Sequence, residues 1–320
     1  MSTLFSHFFT KINQIVPLES KFTEVLESIA LKPKMLYFCG KIPENVVKTV
    51  AIVGSRHNTR YGEEVAYKLA YELGKRGVVV ISGLAFGIDS IAHRGCLDAG
   101  GTTVAVLGSP VNEIYPRKHA GLAAEIIEKG GAVISEYAPR TEEYKDAPMA
   151  PGEYLSPDGK RLQDPKGSFL YRNRIISGLS DIVVVVEAAE RSGSLNTATH
   201  ALEQGKEVFA VPGNITSPYS QGCNKLISQG ALPYTGPEDV LRVLFPEEFI
   251  KKRKRIIKER LIGENDVETK VLQALGDGAR GGEEIMNLTH LPPEVFNQAV
   301  TMLEIRGQIR ALGANNWALL

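Results

Sequence analysis

The chain has 320 residues, of which 43% are apolar, so it can build one large packed domain and one small one. Its 37 Lys and Arg balance 37 Asp and Glu, which speaks against a polycation that coats duplex non-specifically and leaves open a basic site confined to one groove. Three distant cysteines, Cys39, Cys96 and Cys223, show no CxxC spacing and fit neither a disulfide framework nor a zinc site, so buried reduced thiols are expected.

Residues 1–17, with Phe5, Phe8, Phe9 and Ile12, read as a short amphipathic helix. The stretch 1–48 as a whole reads as a short helical N-terminal segment interrupted at Pro17, Pro33 and Pro43. It has no charged n-region or small-residue cleavage pattern, and no run in the chain approaches the roughly 20 apolar residues of a membrane span. A cytoplasmic location without a membrane partner is expected.

From Thr49 the pattern changes. Short β-branched runs at 50–53, 78–81, 104–107, 132–134, 182–186 and 208–211 alternate with helical stretches, for example 63–75. The runs are apolar on both faces, as parallel strands covered on both sides must be. The alternation predicts βαβ units and an open, doubly wound, mostly parallel sheet over 49–246. Residues 139–168, with Pro139, Pro148, Pro151, Pro157 and Pro165, interrupt the rhythm and read as one long loop, either a flap over a site or an insertion.

Residues 247–263 read as a basic linker, because 250–260 carry seven basic residues against one acidic. This run either touches phosphates or only keeps the linker solvated. Over 264–320 three helices, at 267–275, at 282–288 and up to 306, precede a strand–turn–strand at 308–320, the pattern of a winged helix. The third of them, over 292–303, contains Glu294 and no Lys or Arg. That favours contact with protein over duplex DNA.

Ligands of an open α/β sheet bind outside the carboxyl ends of its strands. There the sequence offers Gly54-Ser55-Arg56 through Arg60, Ser82-Gly83 leading to Asp89, Gly108-Ser109, Ser192-Gly193-Ser194, and Pro212-Gly213-Asn214. Glycines let backbone N–H groups approach an anion, and a following helix N-terminus adds partial positive charge. A single such loop reads as an ordinary capped turn. Several on one edge point to an anion site. No GxGxxG fingerprint, Walker A lysine or acidic ribose-binding residue is present, so no dinucleotide or other cofactor is expected. Arg56, Arg60, Arg172 and Arg174 supply forked donors for phosphates. Phe169 and Tyr171 interleave with the last two and either stack on unpaired bases or pack in the core.

Catalytic signals are weaker. Asp89 and His93 lie four apart on an expected helix, a spacing that suits a structural hydrogen bond as well as a dyad. Glu136, Glu187 and Glu203 have no fixed partners, and no GxSxG, HExxH or metal-ligand cluster occurs. The chain is expected to have no catalytic and no metal site.

These segments together resemble the DprA/Smf family of DNA-processing proteins. The residues that carry the likeness are Val53-Gly-Ser-Arg56, Tyr61-Gly62, the run from Ser82 to His93, Gly100-Gly101-Thr102, Tyr115-Pro116, Ser135-Glu136, Arg172-Asn-Arg174, Ser192-Gly-Ser194 and Val211-Pro-Gly213. They run in order over about 49–235.

The resemblance implies an extended Rossmann-like domain that binds single-stranded DNA and forms a homodimer. It also implies a mediator that protects incoming strands in natural transformation and loads the RecA recombinase onto them, helping it past single-strand-binding protein. In the family the arginine of the Gly-Ser-Arg motif, here Arg56, contacts DNA. A Phe-Pro-x-Arg-Asn-Arg segment lines the pocket, and here it is Phe169-Leu-Tyr-Arg-Asn-Arg174, with leucine for proline. A front helical domain that many members carry is at most a stub here.

The candidate DNA- or phosphate-binding set is therefore Gly54, Ser55, Arg56, Arg60, Ser82, Gly83, Lys166, Phe169, Arg172, Asn173, Arg174, Ser192, Gly193 and Ser194. Two alternatives share the scaffold. One is a nucleoside-monophosphate phosphoribohydrolase of the lysine-decarboxylase-like group. That group's Pro-Gly-Gly-x-Gly-Thr-x-x-Glu motif is unmatched, because position 200 is His200. The other is a nucleotide-sensing module.

Overall fold

Strands form where the sequence supplies short runs that can be buried on both faces. Thr49–Val53, Val79–Ser82, Thr103–Leu107, Ala132–Ser135 and Ile182–Val185 are buried at every position. In the computed structural model, which describes residues 11–44, 48–155, 161–251 and 261–320, with backbone alone at 154–155, 161–163 and 165–166, these runs are the centre of a nine-stranded sheet.

In chain order the larger unit contains β1 (Asn13–Ile15), β2 (Leu36–Gly40), β3 (Thr49–Val53), α1 (Arg60–Lys75), β4 (Val79–Ser82), α2 (Ile88–Asp98), β5 (Thr103–Leu107), α3 (Ala120–Glu128) and β6 (Ala132–Ser135). Then come the hairpin β7 (Glu153–Leu155) and β8 (Arg161–Gln163), α4 (Pro165–Gly178), β9 (Ile182–Val185), α5 (Gly193–Glu203), β10 (Glu207–Ala210), α6 (Gln221–Ser228), β11 (Leu232–Pro233) and α7 (Pro237–Leu244). The sheet order is β1-β2-β6-β5-β4-β3-β9-β10-β11. Everything from β6 to β11 is parallel, whereas β2 joins β6, and β1 joins β2, antiparallel. The doubly wound, Rossmann-like expectation is met.

Two expectations are corrected. Residues 13–40 are not a helical segment in front of the domain. They supply β1 and β2, which extend the sheet beyond β6. Leu36, Tyr37 and Cys39 are fully buried there, so both faces of β2 are covered and a strand satisfies its backbone. The amphipathic helix expected over 1–17 falls mostly on residues outside the described part. Of the rest, Asn13–Ile15 is strand and Pro17–Glu19 a single 3-10 turn.

The stretch 139–168 is also not one long loop. It holds a 3-10 turn at Glu142–Tyr144, the β7–β8 hairpin and the start of α4. The hairpin strands flank Pro157-Asp158-Gly159, a turn signal that the count of prolines obscured.

Cores lie on both sides of the sheet. One gathers Ala51, Val53, Ile81, Val106, Val183 and Val185 under Ile175 and Ile176 of α4 and Leu179 just after it. The other gathers Leu84, Ala105, Leu107 and Val133 with Leu122 and Ile126 of α3. The three cysteines are free and buried, and burial pushes the Cys39 thiol up to about 11 and those of Cys96 and Cys223 up to about 12.

The chain divides into two compact units, Met1–Leu244 and Phe245–Leu320. The second has helices α8 (Asp266–Gly276), α9 (Gly282–Thr289) and α10 (Pro293–Ile305), followed by the hairpin β12 (Ile309–Gly313) and β13 (Asn316–Leu319). Phe296, Leu303, Leu272 and Ile285 form its core. This is the winged-helix pattern read from the sequence. Most of the basic run 250–260 lies outside the described residues.

Candidate nucleic-acid interface

Strand order reverses between β3 and β9: from β3 the chain winds toward β4, and from β9 toward β10. Loops leaving the carboxyl ends of two such neighbours diverge and leave a crevice. A cavity of about 490 Å³ opens there, lined by Gly54–Arg56 after β3, Ala85 and Asp89 after β4, Phe169, Arg172 and Asn173 on α4, and Ser192–Ser194 at the start of α5. Three of the loops that the sequence offered, together with Phe169–Asn173, meet in one place.

At the mouth, Arg56 is exposed and carries no hydrogen bond or ion pair among the described residues. Its guanidinium carbon lies 5.7 Å from the centre of the Phe169 ring, a cation–π arrangement that holds the fork without consuming its donors. Phe169 leans on Tyr115, centroid to centroid 5.3 Å. The Arg56 loop is seated against Gly87, which adopts φ +77°; a side chain there would run into the backbone of Ser55 and Arg56. Across the cavity Ser192 caps α5, its hydroxyl accepting the Ser194 N–H at 3.4 Å and lying 2.8 Å from the Ser194 hydroxyl. The positive end of an eleven-residue helix therefore faces the same space.

The other two arginines near the cavity are internal. Arg172 is buried and donates to the carbonyls of Gly83 (2.9 Å) and Val106 and to Asn173 Oδ1 (3.2 Å). Gly83 has to be glycine for this, because a Cβ would sit 2.6 Å from the Arg172 guanidinium. Burial pulls the Arg172 pKa down to about 10, against the opposing charge of Asp89 and with Arg56 adding to the fall. Arg174 turns away from the cavity and makes a bidentate pair with Glu136 at 2.9 and 2.7 Å, both side chains buried.

The remaining candidates separate in the same way. Asn173 lines the cavity and donates to the Gly193 carbonyl at 3.2 Å, tying α4 to the α5 cap. Ser82 is buried and donates to the Ile52 carbonyl at 2.6 Å, so its hydroxyl is a sheet contact. Arg60 points into solvent beside Glu64 and does not line the cavity. Lys166 lies in the first turn of α4, and its side chain is outside the described part of the structure. Tyr171 is exposed on the α4 face that carries Arg174.

The possible catalytic groups have structural partners. Asp89 accepts the Gly83 N–H at 3.1 Å, and burial pushes its carboxyl up against the pull of Arg172 and of the backbone N–H groups of Ala85 and Gly83. His93 bonds through Nδ1 to Thr103 Oγ1 at 2.7 Å. Since Thr103 Oγ1 itself donates to the Val80 carbonyl, His93 Nδ1 carries the proton and Nε2 is left bare. Glu187 is buried and takes the Thr59 N–H and O–H at 2.8 and 2.6 Å. Glu136 is committed to Arg174, and Glu203 sits on the surface beside His200. Among the described residues no group of three His, Cys, Asp or Glu could hold a metal ion, and no helix is long and apolar enough to cross a membrane.

Sequence reasoning gave no role to several residues of this site. Tyr219 and Thr197 line the cavity, and Tyr115 stands behind Phe169. Tyr115 and Thr197 fall in segments, Tyr115-Pro116 and Thr197-Ala198, that carry the family likeness, whereas Tyr219 lies in a loop beyond β10 with no motif to mark it.

Residues 13–245 match the family model described as DNA recombination-mediator protein A, and residues 259–315 match the DprA winged helix domain. The chain is 43% identical over 233 residues to Protein Smf of Escherichia coli (strain K12), covering 72% of this chain and 57% of that protein. It is 38% identical over 238 residues to DNA processing protein DprA of Bacillus subtilis (strain 168), covering 74% and 72%. Among solved structures, DprA of Streptococcus pneumoniae superposes with a TM-score of 0.59 at 35% identity, over 74% of this chain and 75% of that one. DNA processing protein A of Helicobacter pylori, described with a unique single-stranded DNA binding mode, superposes with 0.60 at 28% identity, over 76% and 98%. The chain thus spans somewhat over half the length of the Escherichia coli relative. With a reversed-order parallel sheet, a glycine- and arginine-bearing crevice and a winged helix all matched in sequence, this chain belongs to the DprA/Smf family of DNA-processing proteins.

Proposed function

We propose that this chain is a single-stranded DNA-binding recombination mediator whose strand enters the cavity between β3 and β9. The observation that carries this is the mouth: an Arg56 fork, unpaired among the described residues, held over the Phe169 ring and facing the capped N-terminus of α5. Phosphate suits the fork and the helix end, and an unstacked base suits the ring. Duplex DNA hides its base faces and offers the ring nothing. The Helicobacter pylori relative, named for binding single strands, supports the reading.

On this reading the chain is not an enzyme, since Asp89, His93, Glu136 and Glu187 are each committed to other partners. It acts in the cytoplasm as a homodimer that protects single strands and loads RecA onto them past single-strand-binding protein, in transformation or recombination. The exposed face of α10 carries Glu294 and Glu304 and no Lys or Arg, which suits a protein partner better than a phosphate backbone.

The test is fluorescence anisotropy with labelled dT and duplex oligomers across a salt series. Wild type should prefer the single strand and weaken with salt. Arg56→Ala should cost about 1–3 kcal/mol of binding. A variant that binds dT as well as wild type removes the site assignment. Binding of mononucleotides but not oligomers would favour a nucleotide sensor, and release of free base from nucleoside monophosphates would favour the hydrolase.

A further inference from the structure

The loops next to the cavity carry two large aromatic side chains that do not line it. Phe86, after β4, is 42% exposed, and Tyr115, after β5, is 52% exposed. Single exposed aromatics need no explanation. These two differ because each is held in place. Phe86 meets the His119 ring edge-on at 4.9 Å, and His119 is fixed by a 2.8 Å bond between Nδ1 and the Leu84 carbonyl. Tyr115 rests on Phe169, the ring that also supports Arg56.

Both are continuous with the cavity. Ala85, next to Phe86, lines it, and Gly87, on the other side, packs on the backbone of Arg56. Beyond them a groove of about 450 Å³ runs past Ser90, Arg94, Lys118 and His119. Glu125 answers Arg94, and Glu63 lines the same groove. Lys118 is exposed.

We propose that Phe86, Tyr115 and His119 form a second base-stacking subsite, which takes the nucleotide adjoining the one in the cavity and leads the strand along the carboxyl edge of β4 and β5. This rests on the reading of the cavity as a single-strand site. The occupant is an unpaired base, because the rings are flat and exposed and adjoin the cavity through Ala85 and Phe169. Stacking platforms of this kind tolerate any base, since every base has a π-face.

The experiment compares wild type, the double variant Phe86→Ala/Tyr115→Ala, Tyr115→Trp and Arg56→Ala, each checked for an unchanged melting curve. The ligands are thymidine monophosphate, a long dT oligomer and an oligomer of abasic units. The double variant should bind long dT roughly 5- to 150-fold more weakly. Its losses on the monophosphate and the abasic oligomer should be far smaller than its loss on dT, and Tyr115→Trp should retain dT binding. Arg56→Ala should weaken all three ligands. If the double variant binds long dT within twofold of wild type, the subsite is wrong while the cavity reading stands. Equal losses on monophosphate and dT would show that the rings merely prop Phe169, and would also overturn it. Should wild type bind no dT at all, the cavity reading falls first and the subsite with it.

Discussion

The mouth of the crevice and the layer just behind it are built from the same residue types to opposite ends. At the mouth, Arg56 commits none of its donors among the described residues. One layer down, Arg172 and Arg174 use theirs on the carbonyls of Gly83 and Val106 and on Glu136. The rear arginines position the loops, and the front one, on the proposed reading, is kept for a ligand. An arginine in a binding motif is therefore not by itself a ligand, and burial decides which role it takes. The contrast predicts a double dissociation: changes behind the mouth should move stability, and changes at the mouth should move binding.

The largest effect should come from Arg174→Ala, which strands the Glu136 carboxylate in the core. Losing one partner of a buried pair costs about 3–5 kcal/mol, read in urea denaturation, while Glu136→Leu/Arg174→Met should recover most of it. Strong loss of dT binding in Arg174→Ala protein that remains folded would break the comparison.

Next comes acid. Burial, helped by the charges of His119 and Arg172, holds His93 down at about 3, from an ordinary 6.5. The unfolded chain takes up this proton near pH 6.5 and the folded one refuses it until about pH 3. Its contribution to stability is therefore complete above the unfolded value and is lost on acidification, by up to about 1.4 kcal/mol per pH unit between the two. His93→Gln should flatten that slope in denaturation curves taken at neutral and mildly acid pH. An unaltered slope would place the acid sensitivity elsewhere.

Arg56→Ala should do the reverse of Arg174→Ala, weakening dT binding while leaving stability within about 0.5 kcal/mol of wild type. Smallest of all, Arg60→Ala removes an exposed pair with Glu64 that is 3.2 Å long and should shift stability by no more than about 0.5 kcal/mol. Its dT affinity should also stay near wild type. A loss matching that of Arg56→Ala would mean that the solvent-facing end of α1 joins the interface.

The central strands were legible because burial on both faces leaves an unbroken β-branched run, and Thr49–Val53 and Ile182–Val185 are such runs. The winged-helix unit was legible from three helical stretches followed by a strand–turn–strand. Leu36–Gly40 was not, since five residues between prolines carry no period. Neither was the turning away of Arg174, three residues from Tyr171. Which face of α4 meets the cavity depends on Glu136, thirty-eight residues earlier, and no local pattern reports so distant a partner. The glycines show both outcomes. Gly54 was read as part of a phosphate cradle and does line the cavity, whereas Gly83 makes room for a side chain of the protein itself.

The bond from Glu187 to Thr59 has a mechanical consequence. One carboxylate after β9 grips the N-cap of α1, and the Tyr61 hydroxyl reaches the Pro212 carbonyl after β10 at 3.0 Å. Loops from three strands are thereby lashed into a stiff socket before any ligand arrives. A flexible polymer bound in such a socket surrenders its own freedom while the socket surrenders almost none. On the proposed reading, the ordering entropy of the complex then falls on the strand, and the protein meets each new sequence with the same unchanged shape.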